Sequence, residues 1–216
     1  MKYIIMADGK MTRWKIDCDT PKHLIKIQGE TLIERLVRQL KEVINVDDKI
    51  IITSHDSRYE VVGATRYEPK NNHIELDRFT WELIEDEVCF LYGDTYYSDY
   101  AINQIVKLRT NDLDFVSTKD SIIAVIVNQG DELKKHIEIV KEHFYKGIIP
   151  ACKGWQVYQS YTNQLRKNKF ETTESMVHIE DETFGFNTVH DYCKFKEKLN
   201  ISIDKCEGGI GNCLNF

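Results

Sequence analysis

Residues 4–22 read I-I-M-A-D-G-K-M-T-R-W-K-I-D-C-D-T-P-K, and the rest of the chain is interpreted from them. The apolar run Tyr3-Ile4-Ile5-Met6-Ala7 stops at Asp8-Gly9. A short apolar run ending in Gly reads as a buried strand that feeds a loop. Lys10, Thr12 and Arg13 crowd into that loop, and Pro21-Lys22 closes it. A turn of small residues at the end of a buried strand lets backbone N–H groups wrap an anion. Lys10, Arg13 and Lys22 together suit a polyphosphate, because each phosphate needs donors and counter-charge. Two phosphate-binding patterns are missing from the stretch: G-x-x-x-x-G-K-S/T and the dinucleotide pattern G-x-G-x-x-G.

The remaining chain alternates strands and helices. Residues 24–27 read as a short strand, and 31–43 as an amphipathic helix with Leu32, Ile33, Leu36, Val37, Leu40 and Val43 at helical spacing. Apolar runs predict strands at 49–53, 88–92 and 122–127, with further strands at 64–68, 114–118, 176–179 and 183–186. Helices are predicted at 58–62, 74–85, 100–108, 130–145, 155–165 and 188–199. Alternation of this kind implies a mostly parallel sheet covered on both faces. Ligands then sit at the carboxyl ends of the strands, the edge where Ala7–Arg13 and Gly93-Asp94 both emerge.

Composition narrows the function classes. A chain of 216 residues, 42% hydrophobic and 30% charged, suits one soluble domain spanning 1–216 with a sizeable core. The net charge of −6 argues against nucleic acid as the main partner. No apolar run is long enough to cross a bilayer, and the apolar start is too short for a signal peptide. A cytoplasmic protein with reduced thiols is the expectation. Among Cys18, Cys89, Cys152, Cys193, Cys206 and Cys213 there is no C-x-x-C pair, so neither a zinc knuckle nor a redox motif is indicated. Cys89 reads as a small core residue. His55, His73 and His190 stand isolated, and there is no H-E-x-x-H or G-x-S-x-G motif.

Two later stretches carry oxygen donors. L-Y-G-D-T-Y-Y-S-D places Asp94 directly after an apolar strand. A carboxylate there can bind a hard cation such as Mg²⁺, or it can serve as a turn or cap residue, a task Ser98 does equally well. F-G-F-N-T-V-H-D-Y places Asn187-Thr188 before the last helix, with Asp191 in its first turn. Capping and metal ligation are compatible readings of that stretch.

The ordered set Ala7, Gly9, Thr12, Arg13, Pro21 and Lys22 resembles the opening signature of the sugar-phosphate and phosphocholine nucleotidyltransferases: roughly A-A/G-G-x-G-x-R, a gap, then P-K before an apolar strand. Residues 24–40, L-I-K-I-Q-G-E-T-L-I-E-R-L-V-R-Q-L, resemble the family's G-x-x-x-I/L-E-R helix. Asp8 and Met11 depart from the pattern, standing where a small residue and a second Gly are usual. Gly93-Asp94 and Asn187-Thr188 are similar to the family's two metal-site motifs. There Gly185 replaces the usual acidic residue and Val189 the usual Pro.

The resemblance implies an α/β fold, a single Rossmann-like three-layer domain with a mixed, mainly parallel sheet of the nucleotide-diphospho-sugar transferase kind. It implies transfer of NMP from an NTP to a small phosphorylated acceptor, with release of pyrophosphate. It further implies nucleotide binding by Ala7, Asp8, Gly9, Lys10, Met11, Thr12, Arg13 and Gly93, with Arg13 and Lys22 catalytic. Lys10 and Arg13 would hold the β- and γ-phosphates, and Lys22 would bridge the α-phosphate and the acceptor phosphate. Asp94 and Asn187 would hold Mg²⁺. Asp8 suits cytosine N4 or guanine N1/N2, and CTP is the first choice. The acceptor would be a sugar phosphate, alditol phosphate, phosphocholine or phosphonate, and Trp155, Tyr158 and Glu180 are candidates for its side of the site. Glu68-Pro69 and Asn71-Asn72 fall where the family lines its base and acceptor pocket. No nucleic acid or membrane partner is expected, and a homodimer is compatible with this reading. Two alternatives remain: a sugar transferase of the same fold using a nucleotide-sugar donor, although G-D-T lacks the second acid of a D-x-D motif, and a homologue that binds NTP without turnover.

Overall fold

The computed structural model describes residues 1–10, 14, 20–165 and 169–199. The first apolar run forms strand β1 (Lys2–Met6). A two-residue hairpin, β2 (Lys26–Ile27) and β3 (Glu30–Thr31), leads into helix α1 (Leu32–Val43). Strands β4 (Lys49–Thr53), β5 (Thr65–Tyr67), β6 (Val88–Tyr92) and β7 (Thr95–Tyr96) precede helix α2 (Asp99–Lys107). Then come β8 (Leu113–Ser117), β9 (Ile122–Val127), α3 (Gly130–Tyr145) and α4 (Gly154–Tyr161). Strands β10 (Val177–His178) and β11 (Phe184–Gly185) and helix α5 (Val189–Lys198) complete the described chain.

Seven strands make one sheet in the order β10-β8-β9-β6-β1-β4-β5. β1 pairs in parallel with both β4 and β6, β4 with β5, and β10 with β8. β9 runs antiparallel to both neighbours. The sheet is therefore mixed and mainly parallel. Periodicity could not reveal the reversal of β9, because a strand buried on both faces shows the same apolar run in either direction.

Strand alternation divides the core in two. Tyr3, Ile5 and Ala7 pack with Leu36 and Leu40 of α1 and Ile102 and Ile105 of α2. Ile4 and Met6 face the opposite way and pack with Leu133, Ile137 and Val140 of α3 and Val157 of α4. Successive side chains of β1 thus reach opposite helix layers, as the period of two requires. A third cluster, including Ile27, Leu32, Tyr96, Phe186 and Phe195, fastens α5 and β11 beside the end of β6.

Caps fix the helix starts. Thr31 and Glu34 form a capping box at α1, and Thr188 and Asp191 form one at α5. Ser98, rather than Asp94, caps α2 by accepting from the Ala101 N–H. Three of the expected helices are shorter or different. Residues 74–85 hold two 3₁₀ turns, Glu75–Phe79 and Trp81–Leu83, separated by Thr80 at φ +48°. A left-handed residue cannot continue a right-handed helix. Residues 58–62 give way to a 3₁₀ turn at Ser57–Tyr59 that Asp56 caps. The helix expected at 155–165 ends at Tyr161, before Asn163 at φ +58°. Of the strands expected at 176–179 and 183–186, two residues each pair.

Candidate active site

β1 and β6 lie side by side with Met6 opposite Tyr92, so the loops after them leave the sheet together. The Gly93 N–H donates to the Met6 carbonyl at 3.1 Å. A Cβ on Gly93 would stand 3.0 Å from that oxygen and 3.1 Å from Ile5 Cγ2. Glycine lets the turn press this closely onto β1, where a Cβ would push its neighbours back by a few tenths of an ångström. The turn then presents Asp94, whose carbonyl accepts from the Phe186 N–H at 2.8 Å. That bond, with the β7–β11 pairing, sets Asn187 beside Asp94 although 93 positions separate them in sequence.

A cavity of about 310 Å³ opens here. Its wall carries Lys10, Lys22, Arg78 and Lys153 against Glu75, Asp94 and Asp120, with Trp14, Tyr92, Trp155 and Phe170 as aromatic surfaces. Lys22 follows Pro21 on a 3₁₀ turn, Lys22–Leu24, and its Nζ donates to the Asp94 carboxylate and to the Phe186 carbonyl. Burial pushes the Asp94 carboxyl upward, but the surrounding cations, Lys22 foremost, outweigh it and hold the group below the usual carboxylate range. Asp94 is therefore an anion at neutral pH. Burial pushes the Tyr92 hydroxyl up to about 12, so it stays protonated. His23, behind Lys22, bonds through Nδ1 to the Tyr59 hydroxyl at 2.9 Å.

A smaller cavity of about 180 Å³ adjoins the first, and Gly9, Lys10, Glu75 and Arg78 line both. Asp8 and Asn72 belong to the smaller one. The Asp8 carboxylate accepts from the His55 backbone N–H at 3.0 Å and meets His55 Nδ1 at 2.8 Å. His55 is thus not isolated. The Asp8 carbonyl accepts from Asn72 Nδ2 at 2.8 Å, and Lys10 Nζ donates to the His73 carbonyl at 3.2 Å. The loop after β1 is therefore tied to residues 55 and 72–73.

Gly9, Lys10, Lys22, Asp94 and Asn187 thus meet at one cavity, and Asp8 lies at its neighbour. Ala7 and Gly93 are buried beneath it. Met11, Thr12 and Arg13 lie outside the described residues. Trp155 reaches the wall. Tyr158 instead bonds to Thr173 and Ser175, and Glu180 lies away from the wall. Sequence reasoning missed Glu75, Arg78, Tyr92 and Lys153. The first two fall in a segment read as plain helix, and the Glu75–Lys153 ion pair spans 78 positions. Cys89 is 1% exposed, and burial pushes its thiol up to about 12, as suits an inert core residue.

Among the described residues no group of three or more His, Cys, Asp or Glu could hold a metal. Asp94 and Asn187 supply two oxygen donors at one wall, a set that suits a cation completing its shell with phosphate and water. No helix of the described residues is long and apolar enough to cross a membrane.

No family model matches the sequence, and no curated protein is significantly similar to it. Solved structures do resemble it. The CTP:phosphocholine cytidylyltransferase of Streptococcus pneumoniae superposes with a TM-score of 0.56 at 16% identity, covering 92% of this chain and 98% of that one. The chain shares the α/β fold of this enzyme. A UDP-glucose pyrophosphorylase, solved with UDP-glucose, gives a TM-score of 0.62 at 11% identity over 92% of this chain and 98% of the other. The inositol-1-phosphate CTP transferase from T. maritima gives 0.57 at 11% identity over 93% and 96%.

Proposed function

We propose that the protein transfers NMP from an NTP to a small phosphorylated acceptor. A deprotonated oxygen of the acceptor phosphate attacks the α-phosphorus. The bond from that phosphorus to the β-phosphate bridging oxygen breaks, and pyrophosphate leaves with the electron pair. The observation that carries this reading is the Lys22–Asp94 pair at the carboxyl edge of β1 and β6, beside the loop that bears Gly9 and Lys10. Phosphoryl-type transfer asks for positioning and charge neutralisation rather than a nucleophilic side chain. Lys10 and Arg13 hold the β- and γ-phosphates and stabilise departing pyrophosphate. Lys22 bridges the α-phosphate and the acceptor phosphate, and the reaction draws it from Asp94. Asp94 and Asn187 would hold Mg²⁺, and the cation would supply charge neutralisation for the phosphates. Asp8, oriented by His55, faces the base, and CTP is the favoured donor. The acceptor is a sugar phosphate, alditol phosphate, phosphocholine or phosphonate.

Pyrophosphate release with Mg²⁺, crossing the four common NTPs with those acceptors, tests the proposal. The expected result is release that needs one NTP and one acceptor together and is lost in Lys22→Ala and Asp94→Ala. Release that survives both substitutions would overturn it.

A further inference from the structure

Arg78 has the wrong surroundings for a structural arginine. It sits on the 3₁₀ turn Glu75–Phe79, with Leu76 and Phe79 of that turn buried in the core. Its guanidinium carbon lies over the Tyr92 ring, 5.4 Å from the centroid. Two other cations of the wall each have a carboxylate: Lys22 has Asp94 and Lys153 has Glu75. Arg78 has none in ion-pair contact among the described residues, and its Nε is buried with no hydrogen-bond partner. A half-buried charge with one buried, unmade hydrogen bond is costly unless something else supplies the anion.

Location says which anion. Arg78 lines both cavities, so it stands at the passage between them. Asp8 and Asn72 lie on one side of it, and Lys22 and Asp94 on the other. One end of the guanidinium is pressed against the loop after β1: a Cβ on Gly9 would lie 3.3 Å from Nη2. A nucleotide with its base toward Asp8 and its α-phosphate toward Lys22 and Asp94 brings that phosphate past Arg78.

We propose that Arg78 grips the α-phosphate of the bound nucleotide through its guanidinium and holds it as the pyrophosphate departs. A planar guanidinium offers paired N–H donors that match phosphate geometry, which a lysine cannot do. This inference rests on the nucleotidyl-transfer reading. It separates Arg78, on the phosphate that stays with the nucleoside, from Lys10 and Arg13 on those that leave.

Calorimetric titration of the full chain tests it, with CMP and cytidine as the first probe pair and the UMP, AMP and GMP pairs in parallel. Arg78→Met weakens the monophosphate by about tenfold or more, the loss of one hydrogen bond to a charged group. The same variant leaves the nucleoside and inorganic pyrophosphate within about twofold, which also shows that the site is still folded. Arg78→Lys recovers part of the loss. Unchanged monophosphate affinity in Arg78→Met overturns the inference alone, as does an equal loss for nucleoside and monophosphate, which would make Arg78 a packing residue. Wild-type protein that binds none of the nucleotides overturns the transfer reading, and this one with it.

Discussion

Acidification unfolds this protein partly through His23. The ring is 2% exposed, bonds to the Tyr59 hydroxyl and stacks edge-on against Tyr59 with centroids 5.6 Å apart. Burial lowers its pKa to about 3, with Lys22 and Arg78 pushing the same way and Asp94 opposing them. The folded value lies below the unfolded one, so the unfolded state binds the proton more readily. The stabilisation is therefore complete above the ordinary histidine value of about 6.5 and drains away as pH falls from there toward 3. From about pH 7 to about pH 5 the loss is about 2 kcal/mol from this one group. Urea denaturation of wild type and His23→Gln across that range measures it. His136 is also lowered by burial, but it is present in both proteins and cancels in the difference. Wild type loses about 2 kcal/mol more than the variant over the interval. Parallel stability curves would refute the reasoning, because His23 would then titrate alike in both states.

Lys22→Met leaves the Asp94 carboxylate without its nearest counter-ion and costs about 2 kcal/mol in urea unfolding, and adding Asp94→Asn recovers more than half. Strict additivity of the two changes would contradict the pairing. Asp8→Ala flattens the preference among NTPs in pyrophosphate release, and an unchanged preference removes Asp8 from base selection. Gly93→Ala forces a Cβ to 3.0 Å from the Met6 carbonyl and costs about 1–3 kcal/mol, read as a lower urea midpoint.

The centre of the sheet was legible from sequence. Strands at 2–6, 49–53, 88–92 and 122–127 are short, mostly apolar runs, a length and composition that suit buried strands. Helices α1 and α3 followed from their apolar stripes. Legibility fell toward the edges and around the site. β10 and β11 fall inside the strands expected at 176–179 and 183–186, but only two residues of each pair. The segment at 74–85 has enough apolar residues for a helix, yet Thr80 breaks it, and no side-chain pattern announces a left-handed threonine. Lys10, Lys22, Asp94 and Asn187 could be proposed from sequence because each sits in a short ordered motif. Arg78, Glu75 and Lys153 could not, because what makes them a site is tertiary: Tyr92 of β6 and the start of α4 bring them to one wall. The Asp8–His55 contact joins the ends of two adjacent parallel strands and needed the β1–β4 register before it could be seen.

The central claim is that the α-phosphate of an NTP ends on the acceptor. Phosphorus NMR of the complete reaction tests this directly. The account predicts a new diphosphate linking nucleoside and acceptor, with pyrophosphate formed in equal amount and neither product present without the acceptor. Inorganic phosphate as the released species, or pyrophosphate formed together with free NMP whether or not the acceptor is present, would contradict it.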